Sequence, residues 1–145
     1  MAHDNATEIV ADLVRSWASA HGLACSSVQM GDTPATAVDF PIGAITFRAL
    51  LVAGSQICFA IVPEIGTIAK DGADDPLLPM IAALNFAPGI YRIGVNPEDG
   101  EIRLIVASAM PSQGPDSSLV DVLLSGVGLG LTKYLQALEA GARLG

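Results

Sequence analysis

A chain of 145 residues in which 51% are apolar and 15% charged is long enough to bury a core without disulfides or metal, and it is oilier than most soluble domains. Fifteen acidic against seven basic side chains give a net charge of -8, which repels phosphate backbones and anionic lipid headgroups and argues against nucleic acid as a partner. MAHDNATE carries neither the basic start nor the apolar run of a secretory signal, and the uncharged run ALLVAGSQICFAIVP has 15 residues, short of the ~18 of a membrane span. The expectation is one cytoplasmic domain over residues 1–145, with no membrane insertion.

In chain order, residues 5–21 read as a helix. Asn5 and Glu8 have capping-box spacing, Gly22 stands at the C-terminal stop, and Ile9, Val10, Leu13, Val14, Trp17 and Ala20 share one arc. Residues 28–40 are mixed, with AVDF as a short strand before Pro41. ITFRALLV and ICFAIV come next as antiparallel neighbours around the turn AGSQ. GTIAKDGADD is a loop, and Asp71, Asp74 and Asp75 read as a helix cap with solvated charge, lacking the alternating ligands of a calcium loop. Asp75-Pro76 opens a short helix, PLLPMIAALN, which Pro88-Gly89 ends.

YRIGV and EIRLIVASA form a second hairpin around NPEDG, with Tyr91, Ile93, Val95, Ile102, Leu104 and Val106 on the buried face and Arg92, Glu101 and Arg103 on the other. After the linker PSQGPDSS a long helix runs from about 118 to 143. The order is helix, three strands, helix, two strands, helix: an α+β chain whose helices pack on an antiparallel sheet.

The stretch SGVGLGLTKY, residues 125–134, has the look of a phosphate loop but not its context. No strand precedes it, and Thr132-Lys133 reverses the order that a Walker loop needs. At 100° per residue Gly126, Gly130 and Ala137 fall on one line of the last helix. Glycines inside a helix cost about 1 kcal/mol each, so a close approach to a neighbouring element is the reading that explains them. Val122 and Leu129 widen the apolar arc further, which implies burial under the first helix or else a groove or subunit contact.

No catalytic set converges. His3 lies in the frayed terminal stretch and His21 in the last turn of the first helix, Cys25 and Cys58 read as reduced, packed thiols, and no Ser has a nucleophile-elbow context. No metal or cofactor is expected, and no enzymatic activity. What stands out is apolar: in strands 45–52 and 56–62 both faces are hydrophobic, and three helices cover one sheet face well but hardly two. Leu50, Val52, Ile57, Phe59 and Ile61 are therefore candidates for a surface that binds a partner.

The segment LLPMIAALNFAPGIYRIGVNPEDGEIRLIVASAMP resembles the central signature of the type III secretion chaperone-like superfamily, which includes Tir-chaperone-type and YbjN-like proteins. The matching features are a helix closing in Leu84-Asn85, a strand from Tyr91 to Val95, the Asp99-Gly100 turn, a strand from Glu101, and a proline-containing linker before a long last helix. The resemblance implies a non-enzymatic homodimer that binds a segment of a secreted, effector-like polypeptide. It also implies that the middle helix contributes the dimer contact, through Leu77, Leu78, Met80, Ile81 and Leu84. A YbjN-like regulatory or structural domain without chaperone activity is the alternative. The sparse charge and the Gly126/Gly130 strip depart from the family pattern.

Overall fold

Period-two apolar patterning gives six strands, and three helices complete the chain in the computed structural model, which describes residues 2–69, 74–87 and 89–144. The order is α1 (Ala2–Ala20), β1 (Cys25–Met30), β2 (Thr33–Ile42), β3 (Ile45–Ala53), β4 (Ile57–Thr67), α2 (Leu77–Phe86), β5 (Tyr91–Val95), β6 (Glu101–Ala109) and α3 (Ser117–Leu144). The strands form one sheet in the order β1-β2-β3-β4-β6-β5, with every neighbouring pair antiparallel.

The helices pack on one face of this sheet. Val38 and Phe40 of β2, Ala49 and Leu51 of β3, Ala60 and Val62 of β4, and Leu104 and Val106 of β6 share that face by register, and all join the core with Val10, Val14 and Ala18 of α1 and Leu123, Val127 and Leu131 of α3. The single tryptophan ties the two long helices together. Trp17 Nε1 donates to Asp121 Oδ1 at 3.0 Å, and the His21 ring stacks on the indole with centroids 3.8 Å apart. Asp116 starts α3 by accepting from the Leu119 backbone N–H at 2.9 Å.

Several expectations from the sequence are corrected. Four strands, not three, precede α2: β1 is not among the expected strands, the short strand AVDF is the middle of a longer β2 (Thr33–Ile42), and β4 continues past Pro63 to Thr67 through a bulge between Val62 and Gly66. A left-handed Gly31 (φ 64°) makes the β1–β2 turn. Helix α1 begins at Ala2, so Asn5 lies inside it and cannot cap it. Its buried line is Val10, Val14 and Ala18, while Ile9 and Ala20 are exposed. Val122 and Leu129 of α3 are 43% and 49% exposed, so α1 does not bury them. Asp71 and Pro88 lie outside the described residues.

Residues Ser117–Gly141 of α3 have the length and apolarity of a membrane span, but half of the most apolar stretch is buried inside the protein, as in a core helix. The two sides of α3 have separate roles. Its inner face fixes β5 and β6, and its outer face adds to the apolar surface.

Candidate functional site: an open apolar sheet face

The face of the sheet opposite the helices is built from the alternate residues of the same strands. Register pairs Leu50 with Ile61 and Val52 with Phe59 across β3 and β4, and then Ile61 with Ile105 and Phe59 with Ala107 across β4 and β6. Two apolar rows therefore cross the middle of the sheet, with Ile57 beyond them at the β3–β4 end. None of Leu50, Val52, Phe59, Ile61 or Ile105 belongs to the core shared with the helices, and among the described residues no element packs over them. Val52, paired with Phe59, is nonetheless buried, whereas Leu50, Phe59, Ile61 and Ile105 are half-buried and Ile57 is 53% exposed. The structure thus brings together all five residues named from the doubly apolar strands.

Polar side chains border these rows. Arg48 Nε donates to Asp39 Oδ1 at 3.0 Å, across the β2–β3 pair. On β6 Arg103 is paired with Glu101, whose other carboxylate oxygen accepts the Glu64 backbone N–H at 3.0 Å and holds the bulge of β4. Glu64 itself has φ 56°, a left-handed geometry that an L residue adopts only under constraint.

The two sheet edges differ. At β5 the side chain of Asn85 stands in for a neighbouring strand. Its Oδ1 accepts the Ile93 N–H at 2.8 Å and its Nδ2 donates to the Ile93 carbonyl at 2.7 Å, while Arg92 Nη1 covers the Tyr91 carbonyl at 2.7 Å. At β1 the Asp39 N–H donates to the Ala24 carbonyl at 3.0 Å, so antiparallel alternation turns the N–H and C=O of Cys25, Ser27 and Gln29 away from β2. Sequence reading missed β1 and hence this edge. The dipeptide Gly31-Asp32 was the available turn signal.

Between α2 and α3 runs a second apolar feature, a groove of about 390 Å³ lined by Met80, Leu84, Tyr91, Leu129, Lys133 and Ala137, among others. Of the α2 residues named for a dimer contact, Ile81 is buried in the core, and Leu77, Leu78, Met80 and Leu84 are half-buried against it. Phe86, to which no sequence pattern pointed, is 93% exposed at the end of α2. On the inner side of α3 a Cβ added at Gly126 would lie 2.9 Å from Ile90 Cδ1 and 3.0 Å from Val106 Cγ1. At Gly130 it would lie 2.7 Å from Leu104 Cδ1. Ala137 is half-buried on the groove wall.

Cys58 is buried, which pushes its thiol up to about 11, and burial raises Cys25 and Tyr134 as well. The raised thiols are poor nucleophiles. Among the described residues no three His, Cys, Asp or Glu side chains come close enough together to hold a metal ion.

No protein-family model matches the chain, and no curated protein matches it. Among solved structures, YbjN from E. coli superimposes with a TM-score of 0.54 at 15% identity, covering 92% of each chain. The Yersinia pestis type III secretion chaperone SycH, solved in complex with a stable fragment of YscM2, gives a TM-score of 0.48 at 19% identity, over 85% of this chain and 98% of that one. The resemblance drawn from the sequence is met at the level of the fold: an antiparallel six-stranded α+β arrangement like that of YbjN.

Proposed function

We propose that this protein is a non-enzymatic, cytoplasmic, polypeptide-binding module whose open sheet face holds an apolar segment of a partner protein, as the sequence resemblance to secretion chaperones implies. The observation that carries the reading is the pair of rows Leu50–Ile61–Ile105 and Val52–Phe59–Ala107, apolar and outside the core. Contiguous apolar surface of this kind is unusual on a free soluble domain and marks an interaction site. The outward main-chain groups of β1 offer the same partner, or a second copy, a place to add a strand. In the homodimer this reading includes, Met80 and Leu84 of α2 supply contact together with the protruding Phe86.

The test is capture and protection. Partner proteins retained from host extract by the wild-type chain are identified, and limited proteolysis maps the segment that becomes protected. Phe59→Asp, which places a carboxylate in the middle of the rows without touching the core, should abolish both retention and protection. If retention survives Phe59→Asp, the sheet face is not the site. If no segment is protected at all, a YbjN-like regulatory or structural role without chaperone activity is the reading that stands.

A further inference from the structure

If the open sheet face is a polypeptide-binding site, its rim carries information about which segments it accepts. Of the seven lysines and arginines in the chain, Arg48, Arg92 and Arg103 all project by register on this side of the sheet. Arg48 lies two residues from Leu50 on β3 and Arg103 two residues from Ile105 on β6, so each arginine stands one step beyond the Leu50–Ile61–Ile105 row on the same face, with the bulge of β4 between their strands. Two strand spacings separate them, roughly 10 Å. Arg92 closes the end of the Leu50–Ile61–Ile105 row, being paired with Ile105.

The carboxylates nearby are few. Asp39 is bonded to Arg48 through Nε alone, Glu101 to Arg103 through Nη2 alone, and Glu64 stands in the β4 bulge. Arg92 uses Nη1 on the Gly89 and Tyr91 carbonyls and has no ion pair among the described residues. A guanidinium has five donors in a planar fork. Each of the three therefore keeps N–H groups that no described residue occupies, with the Arg48 and Arg103 side chains 55% and 37% exposed.

We propose that the open face selects a partner segment whose apolar side chains are flanked by carboxylates, the arginine rim accepting the acids while Leu50, Val52, Phe59, Ile61 and Ile105 take the apolar residues. The net charge of -8 suggests the opposite preference, for a basic segment. Geometry decides between them at physiological salt. Screening over about 8 Å damps the acids of the helix layer behind the sheet, and at the face itself the Arg48 and Arg103 side chains are more exposed than the Asp39 and Glu101 carboxylates paired with them, 55% against 30% and 37% against 14%.

Two synthetic peptides of equal length test this, sharing the same leucine and isoleucine positions and flanked in one case by glutamate and in the other by lysine. Their binding to the full chain is read by fluorescence anisotropy at about 0.15 M salt. The glutamate peptide should bind about tenfold more tightly, and the double variant Arg48→Gln/Arg103→Gln, checked for an unchanged thermal midpoint, should reduce the ratio to about one. Equal or tighter binding of the lysine peptide, or a ratio unmoved by the double variant, overturns the inference. If both peptides bind alike and both lose binding with Phe59→Asp, the selectivity fails while the binding face stands. If neither binds and partner retention ignores Phe59→Asp, both fail. Sedimentation supplies the remaining arm: a dimer that Phe59→Asp dissociates and the glutamate peptide does not would give the face to a second copy and also overturn the proposal.

Discussion

The three glycines of GVGLG should respond to substitution in different directions, because each has a different neighbour above it. At Gly128 an added Cβ meets only Phe40 Cε1, at 3.9 Å, an ordinary contact. Replacing it by Ala recovers the helix-propensity cost of about 1 kcal/mol and adds no clash, so Gly128→Ala should raise stability by up to that amount. At Gly130 the same Cβ comes within 2.7 Å of Leu104 Cδ1 and 3.0 Å of Tyr91 Cγ. The leucine methyl can swing aside, but the tyrosine ring is packed in the core and cannot. Overpacking of about 1 to 3 kcal/mol opposes the same propensity gain, leaving Gly130→Ala neutral to about 2 kcal/mol destabilised.

Gly126→Leu must displace both Ile90 and the β-branched, fully buried Val106, and should cost about 3 kcal/mol or more. For a chain of this length 1 kcal/mol corresponds to about 3 °C in midpoint, so thermal and urea unfolding followed by circular dichroism resolve the series. Equal shifts of one sign for Gly128→Ala and Gly130→Ala, or an unchanged midpoint for Gly126→Leu, would refute the reasoning.

Asn85→Ala should cost about 1 to 3 kcal/mol, because it strips the Ile93 N–H and C=O of their partners, and hydrogen exchange at the Ile93 amide should quicken more than at Leu104. Asp121→Ala removes the acceptor of the Trp17 indole, and a loss of about 1 kcal/mol, seen by urea unfolding, is expected. Alkaline pH should expose the buried thiol. Cys58 ionises near 11 folded against 9.0 for a free thiol, so its contribution is complete below about pH 9 and fades as pH rises to 11, by roughly 2 to 3 kcal/mol. Urea stability from pH 7 to 11 should fall more steeply for the wild type than for Cys58→Ala.

What was legible from the residues was the part governed by strong periodicity. The β5–β6 hairpin alternates from Tyr91 to Val95 and from Glu101 to Leu104, and Gly54-Ser55 marks the β3–β4 turn, so both appear where the pattern puts them. The pairing of Leu50, Val52, Phe59 and Ile61 on a face without helices comes from the same alternation. Strand β1, CSSVQM, has serines and a glutamine where apolar residues would announce a strand, because at a sheet edge half of it faces water. Pro34 and Pro41 hid the full length of β2. Pro34 is tolerated opposite Gln29, at a position whose missing N–H no ladder bond requires. The arginine rim was hidden for a different reason: Arg48, Arg92 and Arg103 are far apart in sequence, and only the register of β3, β6 and β5 brings them to one face.

Asn85 sets a limit on assembly. A sheet with two exposed margins can stack end on end without stopping, the geometry of fibrils. Here one margin is plugged by an amide side chain and a guanidinium, so joining through the other uses up the open edge that each molecule has. Any growth by strand pairing through β1 would then end at two copies. Asn85 is thereby a terminator as well as a clamp, and its loss should be read in turbidity and filament formation as much as in folding stability.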